Sequence, residues 1–252
     1  MKLHFKKFGA GPPIIMLHGF LGSLDNLLPI GRAMSEKHTV YLLDQRNHGQ
    51  SPHSNEHNYS LLAGDLHEFV QEHKIMDPVI IGHSMGGKTA MKYASMFPDS
   101  FRKMLVVDIA PRYYPKRHIH ILEGLLSIDL EMVKKREDAD AMLSKHVPEI
   151  GVRLFLLKNL ARKEKGFRWR ANLEVLLKEL DKVGEAIEGT ELTNKPVYFI
   201  KGNDSDYVQG EDRQLIKKMF PSVKIIGIKG ARHWVHADQP DNFIEIVKSI
   251  ID

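Results

Sequence analysis

Short runs of β-branched and other apolar residues recur at Pro13–Leu17, Thr39–Leu43, Pro78–Ile81, Met104–Ile109, Pro196–Ile200 and Val223–Ile228. Runs this short and this uniformly apolar predict strands buried on both faces of a sheet. Between most of them lie segments with apolar residues at helical spacing: Leu24–Met34, Ser60–His73, Lys88–Met96, Glu211–Phe220 and Asp241–Ile251. A β, α, β, α order predicts a mostly parallel sheet with helices on both faces, an α/β fold.

The alternation breaks between Pro111 and Asn194, where helix-like segments such as His118–Leu126 and Asn172–Ile187 occur without a convincing strand. The expected organisation is therefore a core of residues 1–110 and 195–252, interrupted by an all-helical insertion over 111–194. Because the insertion leaves the sheet after the strand ending near Ile109, it is expected at the carboxyl ends of the strands, as a cap over a ligand site.

Composition narrows the chemistry. The chain lacks cysteine, which excludes disulfides, thiolate metal sites and a sulfur nucleophile. A net charge of +4, from 36 cations against 32 anions, describes a mixed surface and argues against a nucleic-acid partner. The longest apolar run near the N-terminus, Ile14–Leu17, is too short for a signal-peptide core or a membrane span, so a cytoplasmic location is the default expectation. One local excess stands out: Arg153, Lys158, Arg162, Lys163, Lys165, Arg168 and Arg170 face the single acid Glu164. A solvated helical face of the cap explains it adequately; a phosphate-binding surface is the alternative.

Gly82-His83-Ser84-Met85-Gly86 is a G-x-S-x-G placed directly after an apolar strand and directly before a helical pattern. A serine in so sharp a strand-to-helix turn is projected above the sheet edge, and the helix start aims free N–H groups and a positive dipole end at it. A bare G-x-S-x-G would mean little, but this context makes Ser84 the candidate nucleophile. The first apolar strand runs into His18-Gly19-Phe20-Leu21-Gly22, a loop that lies beside the nucleophile in such a fold. The N–H groups of Phe20 and Met85 are the candidate oxyanion donors. His18 reads as a structural histidine, and Asp44, Arg46, His48, Gly49 and Ser51 as a polar loop bracing the site.

Among fourteen histidines, His233 has the placement of a general base, on the loop between the last apolar run and the C-terminal helix. Such a base must be neutral to act, so the rate is expected to rise with pH through the histidine range. His236 is the competing choice. The acid is open on this reading: Asp108 ends the run MLVVDIAP among apolar neighbours, whereas Asp204 and Asp206 lie in FIKGNDSDYV, after the later strand where the acid of this fold is more usual.

Taken together, IIMLHGFLGSLDN, YLLDQRNHGQSP, IIGHSMGGKTAM, VVDIAPRYY and GARHWVHADQPDNF resemble the YbfF-type esterases and related mitochondrial abhydrolase proteins of the α/β-hydrolase superfamily, over nearly the whole chain. Ala231 and Arg232 precede His233 where that group more often has Ala-Gly. The resemblance implies an α/β-hydrolase fold and an acid taken from the DIAP run, Asp108, with Asp204 and Asp206 as extra carboxylates. It also implies hydrolysis of short acyl esters, with coenzyme A thioesters also taken in the group, and no cofactor. The basic run would then meet the phosphates of a thioester.

Rival chemistries fare less well. His53, Glu56 and His57 spell H-x-x-E-H, a metallopeptidase signature, but follow Pro52 among turn-forming residues instead of on the helix that signature requires. A carbon–carbon bond hydrolase or lyase could use the same serine and histidine, and a binding protein could be built on the same scaffold. Dehalogenase and epoxide hydrolase chemistries want a carboxylate at the position of Ser84.

Overall fold

The computed structural model describes all 252 residues. Its first elements in chain order are strands β1 (Phe5–Phe8) and β2 (Pro13–Leu17), helix α1 (Leu28–Met34), β3 (Thr39–Leu43), α2 (Tyr59–Glu72), β4 (Val79–His83), α3 (Met85–Met96) and β5 (Lys103–Val107). The interrupting segment follows: α4 (Ile119–Leu126), α5 (Arg136–Leu143), α6 (Ile150–Leu156), β6 (Leu160–Arg162), β7 (Phe167–Trp169), α7 (Leu173–Lys178) and α8 (Leu180–Gly184). The core resumes with β8 (Val197–Gly202), α9 (Asp212–Met219), β9 (Lys224–Ile228), α10 (Val235–Asp238) and α11 (Pro240–Ile251).

Seven strands form one sheet in the order β1-β3-β2-β4-β5-β8-β9, all parallel except the edge strand β1. Period-two alternation divides each strand between two cores: Ile14 and Met16 face α1 and α11, while Ile15 and Leu17 face α2, α3 and α9. The chain leaves β2 for β3 on one side and returns to β4 on the other. The loops after the adjacent strands β2 and β4 therefore meet at the carboxyl ends, where α/β sheets place their ligands.

Two elements depart from expectation. The edge strand β1, Phe-Lys-Lys-Phe, carries two lysines between its apolar residues, a composition that keeps an exposed sheet edge from pairing with another chain and that masks the strand signal. The insertion is not all helical, because β6 and β7 form an antiparallel hairpin turning at Gly166, whose φ is +82°. Half of the basic run is this hairpin, with Leu160 and Phe167 turned inward to an apolar core that the insertion shares with Leu21 of the loop after β2.

The two roots of the insertion are tied together. The Tyr114 N–H donates to the Gly184 carbonyl at 2.8 Å, and the Ile187 N–H to the Pro111 carbonyl at 2.8 Å. Lys88, buried on α3, donates its Nζ to the carbonyls of Arg112 (2.9 Å), Gly184 (3.1 Å) and Glu185, between the rings of Tyr59 and Tyr114. Burial, with the Arg112 guanidinium as the second cause, lowers its pKa to about 7. An ammonium has three protons for three carbonyls, and a methionine of similar length has none. Lys88→Met is expected to cost about 2 kcal/mol, since the Arg112 and Glu185 carbonyls would lose their partner in a buried neck, while Gly184 keeps the Tyr114 N–H. A thermal melt should show the midpoint falling by roughly 4–8 °C for a chain of this size.

Candidate active site

Ser84 sits between β4 and α3 with φ +53° and ψ −116°, a left-handed conformation forced on a residue with a side chain. The turn closes because nothing projects from its flanks: a Cβ on Gly82 would lie 2.2 Å from the Gly86 carbonyl oxygen, and one on Gly86 2.4 Å from that of Leu17. The Ser84 N–H is held by the Val107 carbonyl at 2.9 Å, so the turn is anchored to the next strand.

His233 lies on the loop between β9 and α10, with Nε2 3.1 Å from Ser84 Oγ and Nδ1 2.9 Å from Asp108 Oδ2. Asp108 follows β5 at φ +49°, fully buried, and also accepts from the Gly202 N–H at 3.0 Å and from the Ser205 hydroxyl. A carboxylate accepts only, so it holds the proton of His233 on Nδ1 and leaves Nε2 free to accept from Ser84. Three donors offset the cost of burying its charge. Asp204 and Asp206, the other two candidate acids, point elsewhere: Asp204 is exposed, and Asp206 is exposed and paired with Arg117 at 2.9 Å.

The loop after β2 places Phe20 across the site from Met85. Both residues border the space above Ser84, and neither N–H donates to another protein group. The loop is braced from below. His18 bonds the Gly19 carbonyl through Nδ1 and accepts from the Gln45 N–H through Nε2, and Gln45 returns a bond to the His18 carbonyl at 2.7 Å. His48 accepts from the Leu21 N–H, and Asp44 from the N–H groups of Leu24 and Gln50. The polar residues after β3 thus brace the loop and do not approach Ser84.

Other histidines crowd the site without reaching Ser84. Burial lowers the pKa of His118 and of His236 to about 4, and that of His83 well below the usual histidine range. His236 packs edge-on against His83 with ring centroids 4.8 Å apart, and His83 Nε2 donates to the His233 carbonyl at 2.9 Å. His53, Glu56 and His57 lie in a loop, with His53 bonded to the Arg170 carbonyl and His57 buried beside His48.

Two participants carry no signal in the residue pattern alone. Ser205 supports Asp108, and the Tyr207 ring stacks on the His233 imidazole at 3.6 Å and 16°. Both follow β8, in the loop that also carries Asp204 and Asp206. Their only trace in the chain is a serine standing between Asp204 and Asp206. In the basic run, Arg153 is buried and bonded to Asp140 and to the carbonyls of Val147 and Pro148, and Arg170 pairs with Asp25. Lys158 is the one cation of the run on the wall of the main cavity.

Two cavities open onto Ser84. The larger, of about 310 Å³, runs under α4 and α6 past Ile121, Val152, Phe155 and Trp234. The smaller, of about 40 Å³, lies against Met85, Ile109, Tyr114 and Val183. No helix is long and apolar enough to cross a membrane.

Comparisons with known proteins bear on the family and the fold. A family model described as the alpha/beta hydrolase fold matches residues 12–134. The chain is 37% identical to the sn-1-specific diacylglycerol lipase ABHD11 of Mus musculus, over 95% of its own length and 81% of the relative's. It is 34% identical to Esterase YbfF of Escherichia coli, over 95% and 93% respectively. A solved structure of a marine microorganism esterase superposes with a TM-score of 0.95 at 41% identity, covering 98% of each chain.

Proposed function

Because this chain belongs to the α/β-hydrolase family and its relatives are esterases and lipases, we propose that it is a serine carboxylesterase acting on short-to-medium acyl esters. The observation that carries the proposal is the unbroken line Ser84 Oγ, His233, Asp108, at 3.1 Å and 2.9 Å. His233 takes the Ser84 proton as Oγ attacks the ester carbonyl, and Asp108 stabilises the imidazolium that results. The Phe20 and Met85 N–H groups, free of other partners, hold the oxyanion. The leaving alcohol takes the proton from Nε2. Water, deprotonated in turn by His233, releases the acid and restores Ser84.

The test is acyl-enzyme capture. Quenched during turnover of p-nitrophenyl acetate, the protein should carry one acetyl group on the peptide containing Ser84. No p-nitrophenol release and no adduct would sink the reading.

Coenzyme A thioesters extend the same proposal, supported by Lys158 on the wall of the main cavity, with Arg162 and Arg168 on opposite faces of the hairpin that follows it in the chain. Arg153 and Arg170 have carboxylate partners already and take no part. Replacing Arg162 and Arg168 together by glutamate is expected to raise KM for an acyl-CoA by about tenfold, the scale of a lost charge-assisted contact. Hydrolysis of p-nitrophenyl acetate should be unaffected. An unaltered KM removes the thioester extension.

A further inference from the structure

We infer that the two cavities divide the ester unequally, with a short acyl group in the small one and a large apolar alcohol in the large one. The inference rests on the serine esterase reading and adds the substrate class to it. Both cavities share Ser84, Phe20, His118 and Tyr207, so a carbonyl carbon attacked by Oγ sits where they meet.

The four groups on the tetrahedral carbon fix the rest. One is Ser84 Oγ, and a second is the oxyanion between the Phe20 and Met85 N–H groups. The third, the leaving oxygen, must take its proton from His233 Nε2 as the carbon–oxygen bond breaks, and must therefore lie on the His233 side. His233 and the neighbouring Trp234 line the large cavity and are absent from the wall of the small one. The alcohol consequently leaves into the large cavity. The acyl chain, the fourth group, is directed into the small cavity, whose wall includes Met85 and Ile109.

Size and charge agree with that placement. A cavity of about 40 Å³ has room for roughly three water-sized bodies, the span of an acetyl or propionyl chain. The cations beside it are already neutralised, Lys116 by Asp181 at 2.8 Å and Arg117 by Asp206 at 2.9 Å, so nothing there calls for an anionic acyl group. At about 310 Å³ and largely apolar, the other cavity matches a ligand of drug-like size.

Two ester series test the assignment by kcat/KM. With p-nitrophenol as the constant alcohol, lengthening the acyl group from acetyl to octanoyl is expected to lower kcat/KM by about tenfold or more, because the small cavity has no room for the chain. With acetyl as the constant acid, lengthening the alcohol from ethanol to octanol is expected to raise it by about tenfold or more, as each buried methylene adds to binding. Val183→Ala should recover octanoyl relative to acetyl esters. Ile121→Trp and, independently, Val152→Trp should lower octyl relative to ethyl acetate.

A kcat/KM that rises with acyl length, or one flat in both series, overturns the assignment while leaving the esterase reading intact. Failure to hydrolyse any member of either series overturns the esterase reading itself.

Discussion

Replacement of Ser84 by alanine is expected to lower kcat for p-nitrophenyl acetate by a factor on the order of 10⁵ or more, the scale on which serine hydrolases lose turnover without their nucleophile. The variant retains the Phe20 and Met85 N–H groups and both cavities, so binding should survive while the proposed covalent route disappears. The fold should survive as well. Alanine occupies the same backbone angles, and the Ser84 N–H keeps its bond to Val107. A melting midpoint close to that of the parent, measured beside the rates, separates lost chemistry from lost structure.

The second large effect is expected at Asp108. An asparagine there can still accept from the Gly202 N–H, but its amide group would face His233 and require Nδ1 to accept. The ring proton then moves to Nε2, toward Ser84, where it blocks proton transfer. A loss of about 10⁴-fold in kcat is expected for Asp108→Asn. Asp206→Asn breaks only an exposed pair with Arg117, and Asp204→Asn alters a solvated carboxylate. Each should stay within about threefold of the parent, since exposed ion pairs are worth little. Initial rates on the three variants decide the matter, and a collapse at Asp204 or Asp206 would move the acid role away from Asp108.

The central strands and the serine turn were legible because their constraints are local. A buried parallel strand must be apolar on both faces, and a tight strand-to-helix turn must have small residues at Gly82 and Gly86. Strand β1 was hidden because an edge strand is held by one neighbour and protected by its lysines, which erases the apolar run. The β6–β7 hairpin was hidden because its strands are three residues long and alternate with arginines that read as a charged helix face.

The site divides along the same line. His233 is recognisable from its place between the last strand and the C-terminal helix. The ambiguity over the acid had a physical source, since loops after two neighbouring strands, β5 and β8, both carry carboxylates. What separates them is lateral: Asp108 is met by the Gly202 N–H and the Ser205 hydroxyl from the adjacent loop, and such support depends on pairing between strands far apart in the chain. The stacking of Tyr207 on His233 is invisible for the same reason.

The tied neck of the insertion makes it an exchangeable module. With Tyr114 bonded to Gly184, Ile187 to Pro111, and Lys88 gripping both roots, the polypeptide between them is a loop whose ends are already joined. Closing such a loop costs little more when it is lengthened, because the entropy grows only with the logarithm of its length. The wall that α4 lends to the large cavity can therefore be lengthened or shortened while Ser84, on the far side of the knot, keeps its position, provided that Asn159 stays on the Leu21 carbonyl, its second tie to the core. On the proposed placement of the alcohol, a change in alcohol selectivity is expected from rebuilding the roof and leaving the foundations alone.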